Sequence, residues 1–242
     1  MDEAGRGPLA GPVVASAVIL FQLPPCSSLD DSKRLTPRAR ETAYRAILSS
    51  AAIGVGAAGV EEIDRIGIHA ATHQAMIRAL RKLSVPPDWV LVDGNHLPRG
   101  CPFPAEPVVD GDARSLSIAC ASIVAKVVRD QWMGLVHRLH PEYGFQRHKG
   151  YGTPEHLRAL RWLGPCRFHR FSFQPIRAPF PLRQAQGERQ LHSVRGDRHS
   201  VRGDRYSVRG DRYSVRGDRH SVRGDRHSVR GELVEPRTVE LR

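Results

Sequence analysis

The chain has 242 residues and a formal net charge of +12, from 37 Lys and Arg against 25 Asp and Glu. That excess points to a polyanionic partner. It contains no uninterrupted apolar run of about 18 residues, so a transmembrane helix is not expected. The opening DEAGRG is charged and Gly-rich, unlike a secretory signal. Cys26, Cys101, Cys120 and Cys166 form no CxxC pair and no metal-ligand spacing, which suits reduced thiols in a cytoplasmic protein.

Apolar runs predict strands at Val13–Phe21, at the Gly-rich 53–60, at Trp89–Asp93 and from Pro107. Helices are expected between them. Thr36-Pro37 is an N-cap followed by proline at the first helical position, opening a helix to about Leu48. Ile68–Leu83 carries Met76, Leu80 and Leu83 on one face. Ser115–Met133 carries Ile118, Ala121, Ala125, Val128 and Trp132 at helical spacing. Thr153-Pro154 opens a last helix, which Gly164 closes. Strands alternating with helices predict an α/β domain with one sheet over residues 1–177.

Residues 178–242 are a different kind of sequence. SVRGDR recurs from Ser193, Ser200, Ser207, Ser214 and Ser221, and a last copy at Ser228 reads SVRGE. The period of seven invites a coiled-coil reading, but each unit offers one Val and a ring two positions away, so no helical seam forms. A glycine in every copy also costs roughly 1 kcal/mol in a helix. The expectation for this low-complexity tail is disorder, because it cannot bury enough to offset chain entropy. The charge divides evenly: residues 1–177 hold 22 basic and 16 acidic residues, and 178–242 hold 15 and 9, so each part is +6.

Within the first part, four acids stand out by position. Asp2 and Glu3 precede Gly5-Arg6-Gly7, Asp93 ends the WVLVD strand, and Asp112 lies in GDARS just ahead of a helix. Strand ends are where α/β sheets build their sites. Carboxylates converging there would repel one another unless cations bind, and oxygen ligands suit Mg²⁺ or Mn²⁺. Two such ions about 4 Å apart can hydrolyse a phosphodiester. The competing reading is that each Asp is a turn or cap residue, and spacing alone leaves both open. Lys33, Arg34, Lys126, Arg129, Arg147, His148 and Lys149 are candidates for phosphate contact. The run from Tyr143 to Thr153 interleaves aromatics, bases and glycines, as a nucleic-acid-contacting loop would.

Six motifs in order then carry a resemblance: DEAGRGPLAGPVVASAVIL from Asp2, DDSKRL from Asp30, VDGN from Val92, GDARSLSIACASIVAKVVRD from Gly111, HPEYGFQRHKGYGT from His140 and GPCRFHRFSFQP from Gly164. Over residues 2–176 the chain closely resembles bacterial ribonuclease HII, the type 2 ribonuclease H. The resemblance implies a ribonuclease H-like fold with a mixed sheet flanked by helices. It implies an endonuclease that cuts the RNA strand of RNA–DNA hybrids and cuts 5′ of single ribonucleotides in duplex DNA, with Mn²⁺ or Mg²⁺. Asp2, Glu3, Asp93 and Asp112 match the catalytic, metal-binding acids. Gly5, Arg6 and Gly7 match the loop that reads the 2′-hydroxyl, Tyr151 matches the tyrosine that packs on the ribose, and Lys33 matches a substrate-binding base.

Members of the family act alone, which implies a monomer. Cys120 stands where the family has Ala, and Asp110 where a basic residue is common. The family also has a strand ahead of its first Asp, where only Met1 stands here. The expectation is therefore a frayed Asp2, a sheet short of a central strand and a gene start placed too late. A non-catalytic, hybrid-binding remnant is the alternative function that follows.

Overall fold

In a computed structural model of the chain, residues 1–25 and 35–177 are described. The elements run β1 (Asp2–Ala4), β2 (Val13–Leu20), α1 (Pro37–Leu48), β3 (Ala51–Ala58), α2 (Val60–Ile66), α3 (Ile68–Arg81), β4 (Val90–Asp93), β5 (Ala105–Val108), α4 (Gly111–Arg114), α5 (Leu116–Leu139), a 3₁₀ turn (Pro141–Tyr143), α6 (Phe145–His148) and α7 (Pro154–Leu163). Cys26, Lys33, Arg34 and the repeat tail lie outside the described residues. Among the described residues no helix is long and apolar enough to cross a membrane.

β2 is the hinge of the packing. It pairs antiparallel with β1 on one side and with β3 on the other. Val13, Ala15 and Ala17 face a core formed with α3 and β4, while Val18 and Leu20 face a second core formed with α1 and α5. Burial on both faces is why its sequence reads as a continuous apolar run instead of an alternation. β4 and β5 pair in parallel. Met1 joins the two sets: its amine donates to the Leu91 carbonyl at 2.7 Å, and the Asp93 amide donates to the Met1 carbonyl at 3.0 Å. A three-stranded sheet β1-β2-β3 and a two-stranded sheet β4-β5 are thus set edge to edge through Met1, with antiparallel and parallel pairs together, α3 packed on one face and α1 and α5 on the other.

Asp2 is thus not frayed. It is 6% exposed, pairs with Ser16 on β2 and follows a Met1 that is itself buried. Two neighbouring strands hold the short β1, and this outweighs the tendency of a chain end to fray. On the other side of Met1, between β2 and β4, a cavity of about 630 Å³ opens, lined by Val18, Leu20, Leu83, Trp89 and Leu91. It holds none of the four candidate acids.

The capped helices form where their signals stand. The Thr36 hydroxyl accepts from the Ala39 amide at 3.2 Å, and that of Thr153 accepts from the His156 amide at 3.3 Å. α5 passes its expected end at Met133 and runs to Leu139. Gly134 is carried inside it because Met133 and Val136 are buried against a third core with Leu9, Tyr143, Phe145 and Leu160. α3 lies directly on β3. Gly54 and Gly56 leave room for its backbone, since a Cβ at Gly56 would stand 2.1 Å from the Ala75 carbonyl oxygen. Ala75 and Ala79 complete that small-residue contact.

Gly56→Ala should force α3 off the sheet and cost about 3 kcal/mol. Urea unfolding should show a lower midpoint at an unchanged slope. A midpoint equal to that of the unsubstituted protein would show that the close approach is not needed.

Candidate active site

The acids occupy one end of the sheet because β1 and β4 both deliver them there. Asp2 is buried. Its Oδ1 accepts from the Glu3 amide at 2.6 Å, and Ser122 of α5 hydrogen-bonds to the same carboxyl. Burial, with Glu3 and Asp93 adding repulsion, pushes the Asp2 carboxyl up to about 7. Burial also raises Glu3, and Arg6 opposes that rise from 3.2 Å. Asp93 closes β4, and its Oδ1 accepts from the Gly111 amide at 2.8 Å. Asp110, at φ 54, turns the chain so that Gly111 reaches Asp93. Asp112, next in line and half-buried, is thereby carried to the same strand end in the first turn of α4.

Asp2, Glu3 and Asp93 interact electrostatically with one another. Among the described residues no three ligating side chains already form a closed metal site. The donor set is nevertheless all oxygen and deficient in positive charge, which suits a hard divalent ion. A small cleft of about 60 Å³ adjoins it, lined by Glu3, Arg6, His69, His73, Asp93 and His96. The His69 Nδ1 stands 3.1 Å from Arg6 Nη2 and accepts from it. Burial, then the neighbouring His69, lowers His73.

The glycine loop sits on two buried guanidinium groups. Arg170 donates to the carbonyls of Gly5 at 2.6 Å, Arg6 at 2.8 Å and Gly11 at 2.8 Å. Arg129 donates to those of Pro12 at 3.0 Å and of Ala10 and Lys149 at 3.1 Å. Gly5, at φ +94, is required there: a Cβ would stand 2.0 Å from Arg129 Nε. Gly7 faces the ring of Tyr151, whose Cε1 would lie 3.9 Å from an added Cβ. The Tyr151 ring, 44% exposed, lies 5.8 Å from the Arg129 guanidinium carbon. Gly7, its exposed neighbour Arg6 and Tyr151 therefore share one surface, with Gly5 buried beneath it.

Two sequence candidates, Arg129 and His148, do not belong to that surface. Arg129 is 1% exposed and serves the loop from below, so it is not a phosphate contact. His148 is 8% exposed and bonds to the Tyr143 carbonyl. Lys126 pairs with Asp130 at 2.7 Å, and Arg147 pairs with Glu155. Lys33 and Arg34 lie outside the described residues. Sequence reading missed Arg170 and Ser122. The helical period of α5 contained a signal for Arg129, since it follows Ala125 and precedes Met133 by one turn on the buried face. Arg170 stands in a loop and offers no such period.

The Asp2 carboxyl has a testable energetic signature. Its folded value of about 7 exceeds the unfolded value of about 3.9. Below pH 4 it is protonated in both states and contributes nothing. From pH 4 to 7 the folded state holds the extra proton, so stability falls as pH rises, by about 4 kcal/mol in total. The Met1 amine, lowered by burial to about 6, titrates in the opposite sense, so the comparison must be between proteins. In metal-free buffer Asp2→Asn should melt above the unsubstituted protein at pH 8 and near it at pH 4. Added Mg²⁺ at pH 8 should raise the melting temperature of the unsubstituted protein only. A less stable Asp2→Asn protein at pH 8 would refute this account.

A family profile described as Ribonuclease HII matches residues 1–176. A Ribonuclease HII of Geobacillus kaustophilus is 53% identical over 178 residues, covering 73% of this chain and 68% of that protein. One from Chlamydia trachomatis serovar A is 51% identical over 179 residues, covering 73% of this chain and 82% of that protein. Among solved structures, the ribonuclease H2 of Pyrococcus horikoshii matches with a TM-score of 0.60 at 26% identity, over 73% of this chain and 93% of that one. The expected ribonuclease H-like α/β fold is therefore the fold observed. With the family profile matched over residues 1–176 and about half of the aligned residues identical to named members, the chain belongs to the ribonuclease HII family and is a ribonuclease H.

Proposed function

We propose that this chain is an endonuclease that hydrolyses the RNA strand of RNA–DNA hybrids and cuts 5′ of single ribonucleotides embedded in duplex DNA. It would leave a 3′-hydroxyl and a 5′-phosphate and so begin the excision of ribonucleotides from DNA. The observation that carries this reading is the meeting of an acid cluster with a glycine loop and an exposed tyrosine at one end of the sheet. The residues that would hold two Mg²⁺ or Mn²⁺ ions are Asp2, Glu3, Asp93 and Asp112. Bound there, such ions supply an activated water and charge stabilisation for the leaving oxygen.

The chain's own groups do the rest. Arg170 and Arg129 fix the carbonyls of the 5–12 loop inward, so Gly5, Arg6 and Gly7 present a preformed backbone to the ribose. Tyr151 closes the other side of the ribose, and a 2′-hydroxyl distinguishes RNA from DNA at that place. Gly111 orients the Asp93 carboxylate, and Ser122 orients that of Asp2. Lys33 is the proposed phosphate contact from the segment outside the described residues. The protein is proposed to act as a monomer in the cytoplasm, with no membrane partner, and the repeat tail is proposed to play no part in cleavage.

The test is a duplex DNA carrying one ribonucleotide, labelled at the 5′ end and incubated with Mg²⁺ or Mn²⁺. One cut 5′ of the ribonucleotide is expected. Asp112→Asn should lower the rate by at least about 10³-fold while binding persists. Deleting 178–242 should leave cleavage intact. Binding without cleavage by the full chain would refute the enzymatic reading, and activity lost with the tail would refute the view of that segment.

A further inference from the structure

Three histidines pack behind Tyr151, and their hydrogen bonds fix every proton. His148, His156 and His169 are 8%, 0% and 0% exposed. The Tyr151 carbonyl can only accept, and His156 Nδ1 stands 2.9 Å from it, so Nδ1 carries the proton. His156 Nε2 must then accept. His169 Nε2, 3.0 Å away, is the donor to it. That leaves His169 Nδ1 without a proton, where it accepts from the Cys166 amide at 2.9 Å and faces the Cys166 thiol at 3.2 Å; the Cys166 carbonyl, also at 3.2 Å, would be served only by the opposite tautomer, which would set two bare nitrogens against each other at the His156–His169 contact. The same accounting makes His148 a donor from Nε2 to the Tyr143 carbonyl at 2.7 Å and an acceptor at Nδ1 from the Gly150 amide at 3.2 Å. His148 stacks on His156 at 4.3 Å, and the edge of Phe145 closes on both rings. Burial lowers all three, His156 to about 4 and His169 to about 3, in keeping with neutral rings.

The chain of bonds ends on the residue that meets the ribose. The Tyr151 amide donates to the His148 carbonyl at 2.9 Å, so the histidine group holds Tyr151 at both backbone polar atoms. The loop between them turns through Lys149 at φ 52 and Gly150 at φ 85; Arg129 and the Leu9 amide hold its Lys149 and Gly150 carbonyls, and the histidine group holds Tyr151 itself. We propose that the His156–His169 pair is a positioning element for Tyr151, a neutral proton-ordered link from the Cys166 loop that sets the tyrosine ring against the ribose. This rests on the role of Tyr151 given under the proposed function. The pair touches no reacting atom and acts only through Tyr151.

Two measurements test it. In the full chain with ¹⁵N-labelled histidine at pH 7, the ring nitrogen shifts should report His156 protonated on Nδ1 alone and His169 on Nε2 alone. The opposite tautomer at either ring, or a charged ring, would overturn the link. The second is a mutant cycle on the ribonucleotide-containing duplex. His156→Leu should lower kcat about tenfold with KM little changed, and His156→Asn, which keeps a donor at the Nδ1 position, should stay within about threefold of the unsubstituted enzyme. Combined with Tyr151→Ala, His156→Leu should cause no further loss.

Equal losses in both backgrounds would mean a merely structural role and would overturn the proposal. So would a folded His156→Asn protein that loses as much activity as His156→Leu. Should His156→Leu not fold, His156→Asn and the ring shifts still decide. Full cleavage by Tyr151→Ala would instead remove the role of Tyr151, and the proposal with it, whatever the tautomers.

Discussion

Two guanidinium groups with backbone carbonyls as partners hold this site together. Arg129 and Arg170 gather six carbonyl oxygens, five from residues 5–12 and one from Lys149. Burying a cation costs several kcal/mol, and charge-assisted hydrogen bonds are what offset it. Each arginine needs its carbonyls, and the loop needs the arginines, because a carbonyl left unpaired in the core carries its own penalty. Lysine could not replace either, having no planar fork to span several acceptors at once. The loop conformation, the requirement for Gly5 and the placement of Gly7 beside Tyr151 all follow from this pair.

The acids obey the opposite logic. Asp2 sits in a buried strand beside Glu3 and Asp93, so its charge is disfavoured. A protein selected for stability alone would not place three carboxyls there. Strain of this kind persists when the surrounding structure over-determines it, and here β2, β4 and α5 do so. Met1 bridges to β4, Ser16 pairs with Asp2, and Ser122 bonds its carboxyl.

How much of this was legible in the sequence depended on whether the signal was local. The caps at Thr36 and Thr153, and the run from Val13, announce themselves within a few residues and form as read. The strand at the Gly-rich 53–60 is legible as a run, but the role of Gly54 and Gly56 in letting α3 pack on it is not. The four-residue helices α4 and α6 show too little period to be seen. Arg129 reads as a candidate phosphate contact because its partners, Pro12 and Ala10, lie more than a hundred residues away. Asp2, Glu3, Asp93 and Asp112 stand out in the sequence by position, but their company does not. The Met1 bonds that set β1 beside β4 and the turn at Asp110 bring them to one end. The histidine link was equally hidden, since its members come from α6, α7 and a loop.

Burial moves the two kinds of charge by unequal effect. Asp2 is raised to about 7, so near neutral pH it is only partly ionised. Arg170 is lowered to about 9, first by burial and then by Arg129, and so keeps its charge. The same desolvation therefore silences an acid and leaves a base active, because arginine starts so far above neutrality. The floor beneath the glycine loop therefore stays positive while Asp2 beside it is only partly charged. Among the described Lys and Arg residues, these two are the buried ones, and their charges lie directly beneath the loop.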